Sequence, residues 1–137
     1  MYGLVPIGHR SLDDYRPLVG NEAIDEIRAL AKPLAGARVL HLNITAFDTA
    51  TAEKLAGLVP LMIDAGLPTE WQVIRTTDEF TSANRAMYDG LGGTTVDWTD
   101  DVHNVWLKYN SMNAESFDGS YDFVVIHDPQ PAGILSG

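Results

Sequence analysis

Cysteine is absent from the 137-residue chain, and with it go disulfides, thiolate nucleophiles and cysteine-ligated zinc; the redox compartment is left open. Basic residues are scarce as well. Nine Lys and Arg stand against 19 Asp and Glu, a formal net charge of -10 that repels phosphate backbones and anionic membrane surfaces. This balance argues against nucleic acid and against membranes as partners. No run approaches the roughly 20 apolar residues that cross a bilayer. The N-terminus MYGLVPIGHRSLDDYRP also lacks the basic start and long apolar stretch of an export signal. The expectation is a soluble, cytoplasmic protein, in which the tripeptide Asn43-Ile44-Thr45 matches a glycosylation sequon by chance.

What the chain does have is apolar content, 45%, enough for one core at this length. It reads as a single domain over 1–137, with residues 1–20 as an N-terminal extension packing on it. In NEAIDEIRALAKPLA (21–35), Ile24, Ile27, Ala31 and Leu34 recur at helical spacing, and Gly36 ends the helix. ARVLHLNI follows as a short branched apolar run, the pattern of a strand buried on both faces of a parallel sheet. Leu55, Leu58, Val59, Met62 and Ile63 then form a stripe over a helix from Thr49 to Ala65, with Pro60 expected to kink it. TEWQVIRT is a second strand, and Thr77 caps a third helix whose inner face carries Phe80, Asn84, Met87 and Leu91. Thr99 caps another, running through Glu115, with Val102, Val105, Trp106, Tyr109 and Met112 inward; YDFVVIHD is a third strand, expected to be buried. Strands alternating with long crossovers predict an α/β fold: a Rossmann-like, three-layer α/β/α arrangement around a short parallel sheet.

In open α/β sheets ligands sit beyond the carboxyl ends of the strands. Here those ends carry His41 to Asp48, Arg75 to Glu79, and His127 to Gln130. His127 and Asp128 suit a sugar or metal site, or equally a hydrogen-bonded strand end stiffened by Pro129 and Pro131. Asp78 and Glu79 are an acid and base pair or simply complement a helix dipole. Arg75 and Arg85 are forks for an anion or solvated surface charges. A metal held by His41, His127 and Asp128 has no motif behind it, since no helix supplies a spaced ligand pair. Neither a metal nor a cofactor is expected. Trp106 and Tyr109 are core by spacing, which leaves Trp98 the freer ring for stacking on a sugar.

Five segments carry a resemblance: RSLDDYRPLVGNEAIDEIR, LVPLMIDAGL, WQVIRTTDEF, KYNSMNAE and, above all, YDFVVIHDPQPAG. Over most of residues 5 to 135 the chain resembles the N-terminal part of trehalose synthases of the glycosyltransferring type, which are retaining GT-B glycosyltransferases. The resemblance implies part of a GT-B N-terminal domain from a two-domain enzyme that joins a nucleotide-activated glucose to glucose. It places the acceptor sugar largely in this half and the donor in a C-terminal domain. On that basis the residues expected to line an acceptor-sugar pocket are Asn43, Thr45, Asp48, Asp78, Glu79, Arg85, His127, Asp128 and Gln130, with no catalytic residue among them. The expected ligand is glucose or a related sugar, weakly held.

Departures from the family pattern cluster in the matching region. Asp48-Thr49-Ala50-Thr51 stands where the family has a glycine-rich turn, and a carboxylate with branched threonines should block close approach of a ligand, although Asp48 would cap a helix well. In TSANRAMYDGLGG, Arg85 matches a basic cleft residue while Tyr88 replaces a histidine; Ile44 and Ile63 stand where polar groups are expected. Two readings follow. One is a fragment of a trehalose synthase-like enzyme, without turnover alone because the donor domain is missing. The other is a redesigned or repurposed non-catalytic α/β scaffold that self-associates. In either case a homodimer, or pairing with the missing half, is expected.

Overall fold

The computed structural model describes residues 3–117 and 120–136. At its centre lies β1 (Val39–Asn43), with all five residues buried. β2 (Thr69–Val73) and β3 (Phe123–Ile126) pair with it in parallel on either side, giving the order β2-β1-β3. The register sets Val39 opposite Thr69 and Phe123, and His41 opposite Trp71 and Val125. Helices α1 (Arg16–Val19), α2 (Asn21–Ala31), α3 (Ala50–Asp64), α4 (Asp78–Leu91) and α5 (Asp100–Ala114) surround the sheet. Three-residue-per-turn segments stand at Leu12–Tyr15, Lys32–Leu34 and Gln130–Ser136. This is the α/β arrangement with a short parallel sheet that the sequence predicts.

The long helices start where a threonine has extended backbone and a free oxygen. Thr49, Thr77 and Thr99 accept the N–H groups of Ala52, Phe80 and Val102, satisfying donors that a helix start leaves unpaired. The cap of α3 is therefore Thr49 and not Asp48, whose backbone is left-handed at φ 56. Pro60 is buried inside α3, which continues through it.

Alternation along β1 sends its side chains to two faces. On one, Leu42 packs with Ile74, Phe80 and Ile134, backed by Trp106 and Tyr109 of α5. On the other, Ala52, Leu55 and Val59 of α3 enclose Trp71, while Ala31 and Leu67 enclose Val39. The outer edge of β2 is closed by the N-terminal segment, where Val5 donates to Trp71 and Val73 donates to Gly3, each at 2.9 Å. Gly3 fits because it is left-handed at φ 56 and any Cβ would lie 2.2 Å from the Val73 carbonyl oxygen. Further along, the buried Leu12 donates its N–H to Asp64 at 2.9 Å, and Arg28 joins the same carboxylate at 3.1 Å.

Three expectations need correction. The third strand is not buried: Phe123, Val124 and Val125 are 48%, 39% and 38% exposed, because β3 is the outer strand and nothing among the described residues pairs with its free edge. The inner face of α5 carries Asn110 and Asn113 instead of Met112, which is exposed. Asn113 accepts the Arg75 N–H at 2.7 Å and donates to the Arg75 carbonyl at 3.2 Å, so this helix packs on peptide groups that need amide partners. Leu91 is likewise exposed, as are Ile27 and Leu34.

Between β1 and the residue after β3, His41 Nδ1 and His127 Nε2 lie 2.8 Å apart with their rings stacked, and His41 Nε2 is 3.2 Å from Met62 Sδ. Burial, and then His127, push His41 from 6.5 down to about 4. Burial and then Lys54 lower His127 too, against an opposing pull from Asp128. The unfolded chain thus binds a proton near 6.5 that the folded chain refuses, and stability present above that pH is lost as pH falls toward 4. Urea unfolding should show a loss of about 2 kcal/mol between pH 7 and pH 5 from His41. The slope should flatten in His41→Leu; an unchanged slope in that variant would contradict the assignment.

Candidate functional site

Beyond the carboxyl ends of the three strands the chain leaves an open cleft of about 710 Å³. One wall is the first turn of α3, Thr49 to Thr51. The opposite wall is the α4 face carrying Thr81, Asn84, Arg85, Tyr88 and Asp89, whose spacing of three and four aligns them on one side of a helix. The floor is made by Ile44 after β1, Thr76 after β2, and Asp128 and Gln130 after β3. A second hollow of about 470 Å³ continues from it, sharing Tyr88 and Asp89 and reaching Leu91, Thr94 and Pro129.

Asp128 is fixed by the peptide N–H of Ile44, which donates to Oδ2 at 3.1 Å and so ties the end of β3 to the end of β1. Asn84 and Gln130 are only 8% and 6% exposed, yet Asn84 Oδ1 and Gln130 Oε1 have no hydrogen-bond partner among the described residues. A buried amide oxygen left without a donor costs about 1–3 kcal/mol. The charged side chains of the lining are Arg85, Asp89 and Asp128, one cation against two anions. That balance suits a neutral polyhydroxylated ligand and disfavours a polyanion.

The structure brings three of the nine expected pocket residues together in this cleft: Arg85, Asp128 and Gln130. The other six do not line it. Asn43 is fully buried, accepting from Trp71 Nε1 at 2.8 Å and donating to the Thr45 carbonyl at 2.7 Å. Thr45 is occupied within its own loop, exchanging hydrogen bonds with Phe47 at 3.2 and 3.3 Å. Asp48 is exposed in the loop before α3. Asp78 lines an adjoining hollow with Thr81, Ser82 and Arg85, of which Thr81 and Arg85 also border the cleft. Glu79 accepts from Tyr109 Oη at 2.9 Å and serves the contact between α4 and α5. His127 is held against His41 on the α3 side of the sheet. Among the described residues, no group of three or more His, Asp or Glu is placed to hold a metal ion. Ile63, which stands where a polar group is expected, lies in the last turn of α3, at the opposite end from the wall that Thr49 begins. Ile44 does line it.

Sequence reasoning missed Asn84 as a cleft residue, having assigned it to the buried helix face. It is buried, and it also lines the cleft. The readable signal was an amide in an otherwise apolar stripe, flanked by Thr81, Arg85 and Tyr88.

A family model described as "Trehalose synthase, N-terminal domain" matches residues 41–137. The chain is 37% identical over 139 residues to a trehalose synthase of Thermococcus litoralis, an alignment covering 98% of this chain and 34% of that protein. It is 38% identical over 128 residues to a trehalose synthase of Rubrobacter xylanophilus, covering 91% and 31%. A trehalose synthase of Pyrococcus horikoshii is 34% identical over 130 residues. The chain thus spans about a third of the length of the curated relatives it matches.

The loop before α3 gives a local test. The left-handed backbone of Asp48 is one that glycine adopts without strain and branched side chains resist. Asp48→Gly should leave stability to urea unchanged or raise it by up to about 1 kcal/mol, whereas Asp48→Val should lower it by about 1–2 kcal/mol. Equal effects of the two substitutions would contradict the assigned backbone.

Proposed function

The chain belongs to the trehalose synthase family through its N-terminal domain, and from that premise we propose that the cleft is the acceptor half of a glucosyl-transfer site. The ligand is glucose or a related neutral sugar, held for reaction with a nucleotide-activated glucose bound outside these 137 residues. One observation carries the reading: the amide side chains of Asn84 and Gln130, both largely buried, line a cleft at the strand ends together with Arg85, Asp89 and Asp128. Sugar hydroxyls pair with such amides, donating to the oxygen and accepting from the NH2 group. Arg85 offers N–H groups to hydroxyl oxygens, and the carboxylates of Asp89 and Asp128 accept from hydroxyl protons. The first turn of α3 adds the Thr49 and Thr51 side chains to the same lining. These residues bind and orient an acceptor. Nothing among them supplies the second sugar or its nucleotide, so the proposal assigns no turnover to this chain alone.

A second reading, association of two copies, is favoured by the bare edge of β3. Its exposed Phe123, Val124 and Val125 carry no lysine, proline or bulge of the kind that guards edge strands.

Calorimetric titration with glucose, on samples whose mass is read by light scattering, addresses both. The acceptor reading predicts glucose affinity on the order of millimolar and no heat with a nucleotide-glucose. Gln130→Leu and Asn84→Leu should each weaken glucose by about tenfold at unchanged melting temperature, and His127→Ala should leave binding intact. A dimer that binds no sugar would favour the second reading and overturn the first.

A further inference from the structure

We infer that Asn110, which does not line the cleft, positions Gln130 within it, with Trp106 as its companion. The carbonyl oxygen of Gln130 accepts two donors from α5: Trp106 Nε1 at 3.0 Å and Asn110 Nδ2 at 3.1 Å. The donors stand four residues apart on one face of a long helix, so they fix a single peptide group from a rigid element. That peptide opens the segment Gln130–Ser136. The segment lies directly on the same two side chains, because a Cβ on Gly133 would come within 2.8 Å of Trp106 Cη2 and 3.0 Å of Asn110 Cγ.

Asn110 is an expensive residue to keep in this place. It is 1% exposed, and its Oδ1 has no partner among the described residues. A leucine of similar shape would avoid the desolvated oxygen. What leucine lacks is the Nδ2 donor, which joins the Trp106 carbonyl at 2.9 Å to the Gln130 carbonyl. The stability forgone maintains the orientation of Gln130, whose side chain is buried yet borders the cleft. Asn110 is thus a positioning residue, and its contribution to binding rests on the acceptor-sugar reading above.

The test uses Asn110→Leu in the full 137-residue chain, with Trp106→Phe as a second variant should the first fail to fold. The melting temperature of Asn110→Leu should be unchanged or higher. Glucose should bind about three- to tenfold more weakly, the factor expected when a rotamer-rich side chain is no longer ordered in advance. In a Gln130→Ala background the substitution should cause no further loss. Side-chain amide NMR of Gln130 should report an ordered group in the parent chain and a mobile one in the variant. Additive losses of affinity, or a Gln130 amide equally ordered in the variant, would overturn the inference. A parent chain that binds no glucose would sink the acceptor reading alone, since the order of the Gln130 amide still decides the positioning role.

Discussion

The structure depends on the way Asn43 ends the central strand. Its fully buried side chain accepts from Trp71 Nε1 and donates to the Thr45 carbonyl, while its own carbonyl accepts the Ile74 N–H at 3.1 Å. A buried amide gains little from each bond and loses heavily when one is missing, so β1, β2 and the loop toward α3 are locked as a unit. One residue later the Ile44 N–H holds Asp128, which brings the end of β3 into the same frame. The cleft is built on these tied strand ends. Its walls can be rigid even though β3 is thinly covered on its outer side.

That frame explains where sequence patterns succeed. A short run dominated by branched apolar residues is the signature of a strand covered on both faces, and VLHLN, with His41 and Asn43 inside it, is buried throughout. A threonine with a free oxygen before an apolar stripe marks a helix start, and Thr77 and Thr99 stand at their caps. The strand-end rule led to Asp128 and Gln130, since it follows from topology and needs no knowledge of side-chain partners; Arg85, inside α4, came from the family resemblance.

Where the patterns fail, the missing information is non-local. FVVI is wholly apolar where VLHLN holds His41 and Asn43, yet it is β3 that is exposed, because burial of an outer strand is decided by what lies beside it. Asn110 and Asn113 point inward on α5 because the surface they meet is backbone. His127 was expected in the cleft, but alternation puts it on the α3 side, opposite to Ile126, whose side chain packs against the Leu42 cluster. That alternation was readable from the strand period alone. The partnership of Glu79 with Tyr109 was not, since it joins two helices thirty positions apart in the chain.

The central claim is that a neutral sugar sits among α3, α4 and the turn after β3. Backbone NMR titration of the uniformly labelled chain with glucose tests it most directly. The account predicts saturable shifts confined to residues 44, 49–51, 76, 81–89 and 128–130. Saturable shifts centred on His41, Met62 and β3 with the cleft silent, or no saturable shift at all, would contradict it.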